Sequence, residues 1–327
     1  MLRNYLKISL RNLNRYRFFS IINILGFALG LFVCFIIALY VIFDLSFDRY
    51  HSNGEQIYRV VSFDNTRNWI SAVTSGPFLL RLGEEIPEIA GSTRLTFGFS
   101  RLQPGEIPDG SDSLAIFRQA LFTGPGFFDV FDFKIISGNS ETPLVNLQGV
   151  YLTEEAAELL FGDEDPVGRP LNTNFINDAF VAGIINGPPV NSHLQFGAIF
   201  PLNVERNPIW WDSWENLALT GYIRLREGAD PEVVEQKVVE LARRYGMSEV
   251  FTPRLQPLLK MHMDSQGIRY DAINQQKTSR EVVYGLIVIG LLVLLVAAIN
   301  FINLTSARSS KRAREIGMRK IVGAARK

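Results

Sequence analysis

Apolar and polar positions along this chain fall into two regimes. Ile21–Phe43 and Val282–Leu304 are apolar runs without a single Asp, Glu, Lys or Arg. As a helix, each spans about 35 Å at the α-helical rise, enough to cross a hydrocarbon core about 30 Å thick with modest tilt. The second run is too long and too uniformly apolar for the core helix of a soluble domain. The first exceeds the apolar region of a signal peptide and leads into Asp44-Leu45-Ser46-Phe47 with no small-residue cleavage pattern. It reads as an uncleaved anchor.

Between the runs the pattern shortens. Ile57–Phe63, Ala179–Ile185 and Gly221–Leu225 alternate or run apolar as strands do. Pro77–Glu85 is a short helix opened by proline. Thr153 caps a helix through Phe161, with Glu154 and Glu155 at its positive end. Asp230-Pro231-Glu232 starts another, on which Val234, Val238, Leu241 and Tyr245 line one face. Asn186–Ser192 and Gln103–Ser113 are turn-rich. The middle of the chain is therefore mixed α and β, sized for one large domain or two small ones. Trp210, Trp211 and Trp214 cluster beside Pro208, a grouping that belongs to a core more often than to a binding surface.

Charge gives these regimes a direction. The first 20 residues hold five basic groups and no acid; the last 23 hold eight and one acid. Asp44–Glu281 carries 20 basic and 32 acidic groups, so a net charge of zero hides segments of +5, −12 and +7. Basic flanks stay on the cytoplasmic side, which puts both ends inside and the middle outside. Arg3, Lys7, Arg11 and Arg15 recur every four residues beside Leu2, Leu6, Leu10 and Leu13. That period favours an amphipathic helix on the membrane surface over a plain basic flank. In the first run, Gly26 and Gly30 form a small-xxx-small pair that lets a neighbouring helix approach. Asn300 and Asn303 share a face of the second, either hydrogen-bonding another membrane helix or sitting at headgroup depth.

Candidate chemistry is sparse. Cys34 is the only cysteine, so no intramolecular disulfide forms. His51, His193 and His262 stand isolated in the sequence, without an H-E-x-x-H pair. There is no G-x-S-x-G elbow and no G-x-x-x-x-G-K-[ST] phosphate loop. These gaps argue against an enzyme and against any cofactor. The last segment is the exception to a plain basic tail: Ile316, Met318, Ile321 and Val322 interrupt its charges, and Gly317 and Gly323 suggest breaks with a short helix between them. Such a segment suits contact with a cytoplasmic partner.

At this point the chain resembles the MacB-like permeases of ATP-binding cassette systems, which carry the FtsX-type membrane module. Arg314-Glu315-Ile316-Gly317-x-Arg319-Lys320-x-x-Gly323-Ala324 is similar to the family's cytoplasmic segment after its second membrane helix. Lys7-Ile8-Ser9-Leu10-Arg11-Asn12-Leu13 and Asn23-Ile24-Leu25-Gly26 resemble its surface helix and first span. Leu152-Thr153-Glu154-Glu155-Ala156, Phe161-Gly162-x-Glu164-Asp165-Pro166-Val167-Gly168 and Asn191-Ser192-His193-Leu194 resemble its periplasmic core domain.

The resemblance implies an α+β extracytoplasmic domain, mixed and in two subdomains, between two transmembrane helices, with short cytoplasmic helices at both ends. The divisions expected are 1–20 for the surface helix, 21–43 for the first span, 44–281 for the periplasmic domain, 282–304 for the second span and 305–327 for the coupling segment. Family permeases have at least four membrane helices, so the chain reads as the amino-terminal part of a longer protein or as a split unit. The expected role is that of a non-catalytic permease subunit in a bacterial inner membrane. A separate cytoplasmic ATPase would contact Arg314, Glu315, Ile316, Gly317, Arg319 and Lys320 and drive efflux or the extraction of envelope substrates by mechanotransmission. Partners are the bilayer, a second permease subunit or half, and a periplasmic adaptor, with no nucleic acid. The competing class is a two-span sensor with a cytoplasmic signalling module, which calls for a heptad-patterned helix after the second run.

Overall fold

A computed structural model describes residues 17–105, 116–203, 205, 208–247 and 250–321. The chain divides into a helical unit, Met1–Leu45 with Arg280–Lys327, and a mixed unit, Ser46–Ser279.

In the helical unit, α1 (Arg17–Leu45) and α8 (Arg280–Ile321) grow from the two apolar runs. Ile24–Leu45 and Arg280–Asn303 are long and apolar enough to cross a membrane by length and composition. Side chains such as Leu25, Phe32 and Leu291 stay exposed, an apolar surface on all sides that suits hydrocarbon better than water. The two helices pair through small residues. A Cβ added at Gly30 would stand 2.6 Å from the Ala297 methyl, and one at Gly26 would stand 3.3 Å from Asn300 Nδ2. Nearby, the Cys34 thiol donates to the Gly290 carbonyl at 3.2 Å. The α8 helix is 42 residues long and runs on through Gly317 without a break. The expected interruption there is thus corrected: one glycine costs a helix only about 1 kcal/mol, and the helix formers around it outweigh that.

Among the described residues, the mixed unit is built on a 13-stranded sheet. Its strands are β1 (Ile57–Asp64), β2 (Trp69–Ser71), β3 (Thr74–Ser75), β4 (Ile89–Pro104), β5 (Ile116–Thr123), β6 (Ile135–Gly138) and β7 (Gly149–Thr153). Then follow β8 (Pro170–Thr173), β9 (Ala179–Ile185), β10 (Ala198–Pro201), β11 (Leu217–Leu225), β12 (Phe251–Pro257) and β13 (Ile268–Arg269). The main path is β13-β2-β1-β11-β4-β5-β10-β7-β9-β6, with β12 on β1, β3 on β11, and β8 against β4 and β9.

Helices cover this sheet in two places. On one half, α2 (Gly76–Glu85) and α6 (Pro231–Arg244) sink Phe78, Leu79, Leu82, Val234, Val238 and Leu241 onto Val60, Leu219 and Ile223. Each fully buried side chain of this kind contributes about 1.5–3 kcal/mol. Asp230 caps α6 by accepting from the Glu232 N–H at 2.9 Å. Gly221 has no side chain where Leu79 presses on the sheet, so α2 can sit directly on β11. On the other half, α4 (Glu154–Phe161) buries Ala156, Ala157 and Leu160 against Val150, Leu152, Val181 and Phe200. Thr153 caps it, accepting from the Ala156 N–H at 3.3 Å. The 16-residue β4 joins the halves, pairing with β11 early and with β5 and β8 later. Where two subdomains were expected, these strands form one continuous sheet in one compact unit. The short helices α3 (Phe127–Val130), α5 (Pro208–Trp211) and α7 (Met261–Asp264) fill its margins. Trp211 and Trp214 pack against the α2/α6 core, as their clustering suggested, and Trp214 stacks on Tyr245 at 4.6 Å.

Candidate functional site

Two short segments connect the mixed unit to α1 and α8, and both are held by buried polar networks. The first, Ser46–His51, follows α1 directly in the chain. Asp48 adopts a positive φ of 57°, a conformation aspartate tolerates better than most side chains. Its N–H donates to the Asn191 carbonyl at 2.9 Å. Its Oδ1 accepts from the His193 N–H at 3.0 Å and from the Ser192 hydroxyl at 3.3 Å. That same oxygen lies 2.8 Å from His193 Nδ1, whose ring Nε2 lies 2.9 Å from the Tyr222 hydroxyl. Both side chains of the Asp48–His193 pair are essentially fully buried.

This network places one proton of the His193 ring. A carboxylate only accepts, so Nδ1 carries the proton and donates. The Nε2 then either accepts from the Tyr222 hydroxyl, in a neutral ring, or donates to it, in a charged one. Burial pushes the Tyr222 phenol well above its ordinary range, which keeps its proton available. Burial also pushes the Asp48 carboxyl up, but the charge and hydrogen bonds of His193 outweigh it and hold the group below the usual carboxylate range. Ser192, already donating to Asp48, accepts from the Tyr50 hydroxyl at 2.9 Å. Asn191 closes the clamp by donating to the Ser46 carbonyl at 3.1 Å.

His51 sits beside this cluster with its ring among Tyr50, Phe131 and Phe133. Its Nδ1 accepts from the Asp132 N–H at 3.1 Å. Burial, reinforced by His193, lowers its pKa to about 4, so it is neutral near pH 7. The expectation of isolated histidines is corrected: His193 bridges Asp48 and Tyr222, and His51 lies within electrostatic reach of both His193 and Asp48. The chemistry of the cluster is positional. The Ser192 hydroxyl faces a carboxylate and a phenol rather than an imidazole nitrogen, which is not the contact order of an acyl-transfer triad.

The second connecting segment, from α7 to Ser279, is anchored through Arg59 on β1. The Arg59 guanidinium meets Asp271 at 2.5 Å, with both side chains buried. It also donates to Gln256 at 2.7 Å and to Ser265 at 3.2 Å. Lys277 adds a second cation to Asp271 at 2.9 Å. The two connectors meet where the His262 ring stacks on Phe47, with centroids 3.6 Å apart and planes 9° from parallel. The Thr278 N–H, two residues before α8, donates to the His262 carbonyl at 3.0 Å.

The sequence-predicted residues lie elsewhere. Gly26, Gly30 and Asn300 fall on the facing sides of α1 and α8, whereas Asn303 is exposed. Arg314, Glu315, Ile316, Gly317, Arg319 and Lys320 share the helical backbone of α8; apart from Gly317, their side chains lie outside the description. Arg3, Lys7, Arg11 and Arg15 lie outside the described residues. Sequence reading passed over Asp48 and Arg59. The available signal was weak: Arg59 is a lone charge inside the apolar run Ile57–Phe63.

The fold defines a class: a mixed α/β domain inserted in the chain between two long apolar helices. Residues 20–241 match the family model of the MacB-like periplasmic core domain, and the chain belongs to that family. It is similar to "Macrolide export ATP-binding/permease protein MacB 2" of Aeromonas hydrophila, 24% identical over 62% of this chain. It is also similar to a "Probable export ATP-binding/permease protein" of Pseudomonas fluorescens, 27% identical over 61% of this chain. Each match spans 29% of the relative's length. Among solved structures, a domain of a Porphyromonas gingivalis protein classed as a permease superposes with a TM-score of 0.54 at 22% identity. That superposition covers 63% of this chain and 92% of the domain, and it shows the shared fold.

Proposed function

We propose that the chain is the permease portion of an ATP-binding cassette system and that it transmits motion from a cytoplasmic ATPase to its periplasmic domain. The observation that carries this reading is α8. One proline-free helix starts two residues after the Thr278–His262 anchor, continues through the apolar stretch Arg280–Asn303 and carries on into the basic segment. Proline, Gly/Ser pairs and inserted polar groups usually kink a helix; α8 lacks proline and is continuous past Gly285, Gly290 and Gly317, so in this reading a tilt at one end is conveyed to the other. The family match and the export ATP-binding/permease names of the two relatives support the class of transporter. In this reading both ends of the chain face the cytoplasm of a bacterial inner membrane, the ATPase is a separate, catalytic partner, and a second permease subunit or half completes the assembly. The work done is efflux or the extraction of envelope substrates.

The coupling test uses the permease as the cell makes it. Glu315→Lys reverses a charge at the proposed ATPase contact and should cost about 2–5 kcal/mol if the pair is buried. Gly317→Leu adds bulk at the same place. Both variants should insert normally yet lose co-purification of the ATPase and permease-stimulated ATP hydrolysis. Near-normal values in both would leave the segment as a basic flank alone. Orientation has its own test: in a Cys34→Ser background, cysteines at Asn14 and Ser310 should be shielded from an impermeant thiol reagent in intact cells, while one at Asp109 should be labelled.

A further inference from the structure

The mixed unit holds a cavity of about 400 Å³, within the range of about 300–1,000 Å³ that small-molecule sites occupy. Phe122 of β5 and Phe175 of the β8–β9 turn supply two of its rings, packed edge to face at 4.7 Å. A third comes from Trp211 of α5. Phe122 and Phe175 belong to the α4 core, whereas Trp211 packs on the α2/α6 core. The cavity therefore lies at the seam between the two packing centres of one sheet.

Its polar lining is of one chemical kind. Gln148, Asn177 and Asn203 all present carboxamides, and among the described residues no lining side chain is charged. The Asn203 Oδ1 is engaged by the Glu205 N–H at 3.1 Å, which leaves its Nδ2 as a donor. The amides of Gln148 and Asn177 hydrogen-bond to no other described residue and can each donate and accept. Aromatic faces select flat apolar surface, carboxamides select uncharged hydrogen-bonding edges, and the lack of a counter-ion among the described lining residues disfavours a charged guest.

We infer that this cavity is a binding site for an uncharged molecule, or part of one, that carries a ring face bordered by amide-like or hydroxyl groups. The site does not depend on the coupling mechanism, and its test needs no ATPase. The whole chain is held in lipid nanodiscs, with empty nanodiscs as the baseline. Saturation-transfer NMR then compares N-acetyl-phenylalaninamide with its acid, N-acetyl-phenylalanine. The neutral amide should receive saturation above baseline, and the anionic acid should stay near it. Trp211→Ala should bring the amide close to baseline. Asn177→Leu, at an exposed position that leaves folding intact, should weaken the amide about threefold to tenfold, the range of one hydrogen bond. Equal saturation by both probes, no signal for the amide, or an amide signal unchanged in Asn177→Leu would each overturn the assignment.

Discussion

Asp48 and His193, 145 residues apart in the chain, meet at 2.8 Å in a site closed to solvent. Removing one partner leaves a buried group without its counterpart, a loss of about 3–5 kcal/mol. His193→Ala should therefore lower the melting temperature of the detergent-solubilised chain by many degrees. Asp48→Asn, which keeps an acceptor for Nδ1–H, should cost clearly less. Equal melting for the wild type and His193→Ala would show that the clamp contributes no stability.

Acid should loosen the same region in two stages. His51 has its folded pKa lowered to about 4 from an ordinary 6.5. Between those values the unfolded chain binds more protons, so stability is complete above about pH 6.5 and declines as pH falls toward 4. Asp48 is also lowered, so its contribution is present above the ordinary carboxylate range and fades at still lower pH. His51→Asn keeps an acceptor for the Asp132 N–H without titrating in this window. It should flatten the stability profile between pH 6.5 and pH 4 in denaturant titrations. An unchanged slope would exclude His51 as the source.

The Arg59–Asp271 pair predicts an asymmetry. Asp271→Ala strands a buried guanidinium and should cost about 3–5 kcal/mol. Arg59→Met with Asp271→Leu removes both charges and should recover most of that loss, because the desolvation of two ions disappears with them. Chemical denaturation of the two variants beside the wild type decides the matter. A double variant as unstable as Asp271→Ala would mean that Lys277, left without its carboxylate, or the Gln256 and Ser265 contacts dominate the anchor.

The helix pair should respond to added methyl groups in a definite order. At Gly30 a new Cβ meets the Ala297 methyl at 2.6 Å, whereas at Gly26 it meets the movable end of the Asn300 side chain at 3.3 Å. Gly30→Ala should thus perturb the pairing more than Gly26→Ala, read as the loss of thermal stability of the solubilised chain. The reverse order would indicate that α1 and α8 pair through another face.

Local signals were legible in the sequence where local physics decides. Asp230 and Thr153 announce α6 and α4 because capping needs only neighbouring residues, and Val234, Val238 and Leu241 repeat at helical spacing. The apolar runs specify α1 and α8 for the same reason. The anchors were not legible: the pairing of Asp48 with His193, or of Arg59 with Asp271, depends on sheet order, and no periodicity encodes contacts so remote in sequence. Gly317 misled in the opposite direction. Its low propensity is local, but it is outvoted by the helix formers on either side. The seam cavity was equally hidden, since Phe122, Phe175 and Trp211 come from three separate elements.

The length of α8 has a geometric corollary. At the α-helical rise, its 42 residues extend for about 63 Å, so a pivot of about 10° at the Arg280 end sweeps Ile321 sideways by about 11 Å. If α8 moves as one rod, as the proposed transmission requires, a small angular change at one end becomes a displacement about the width of a whole helix at the other.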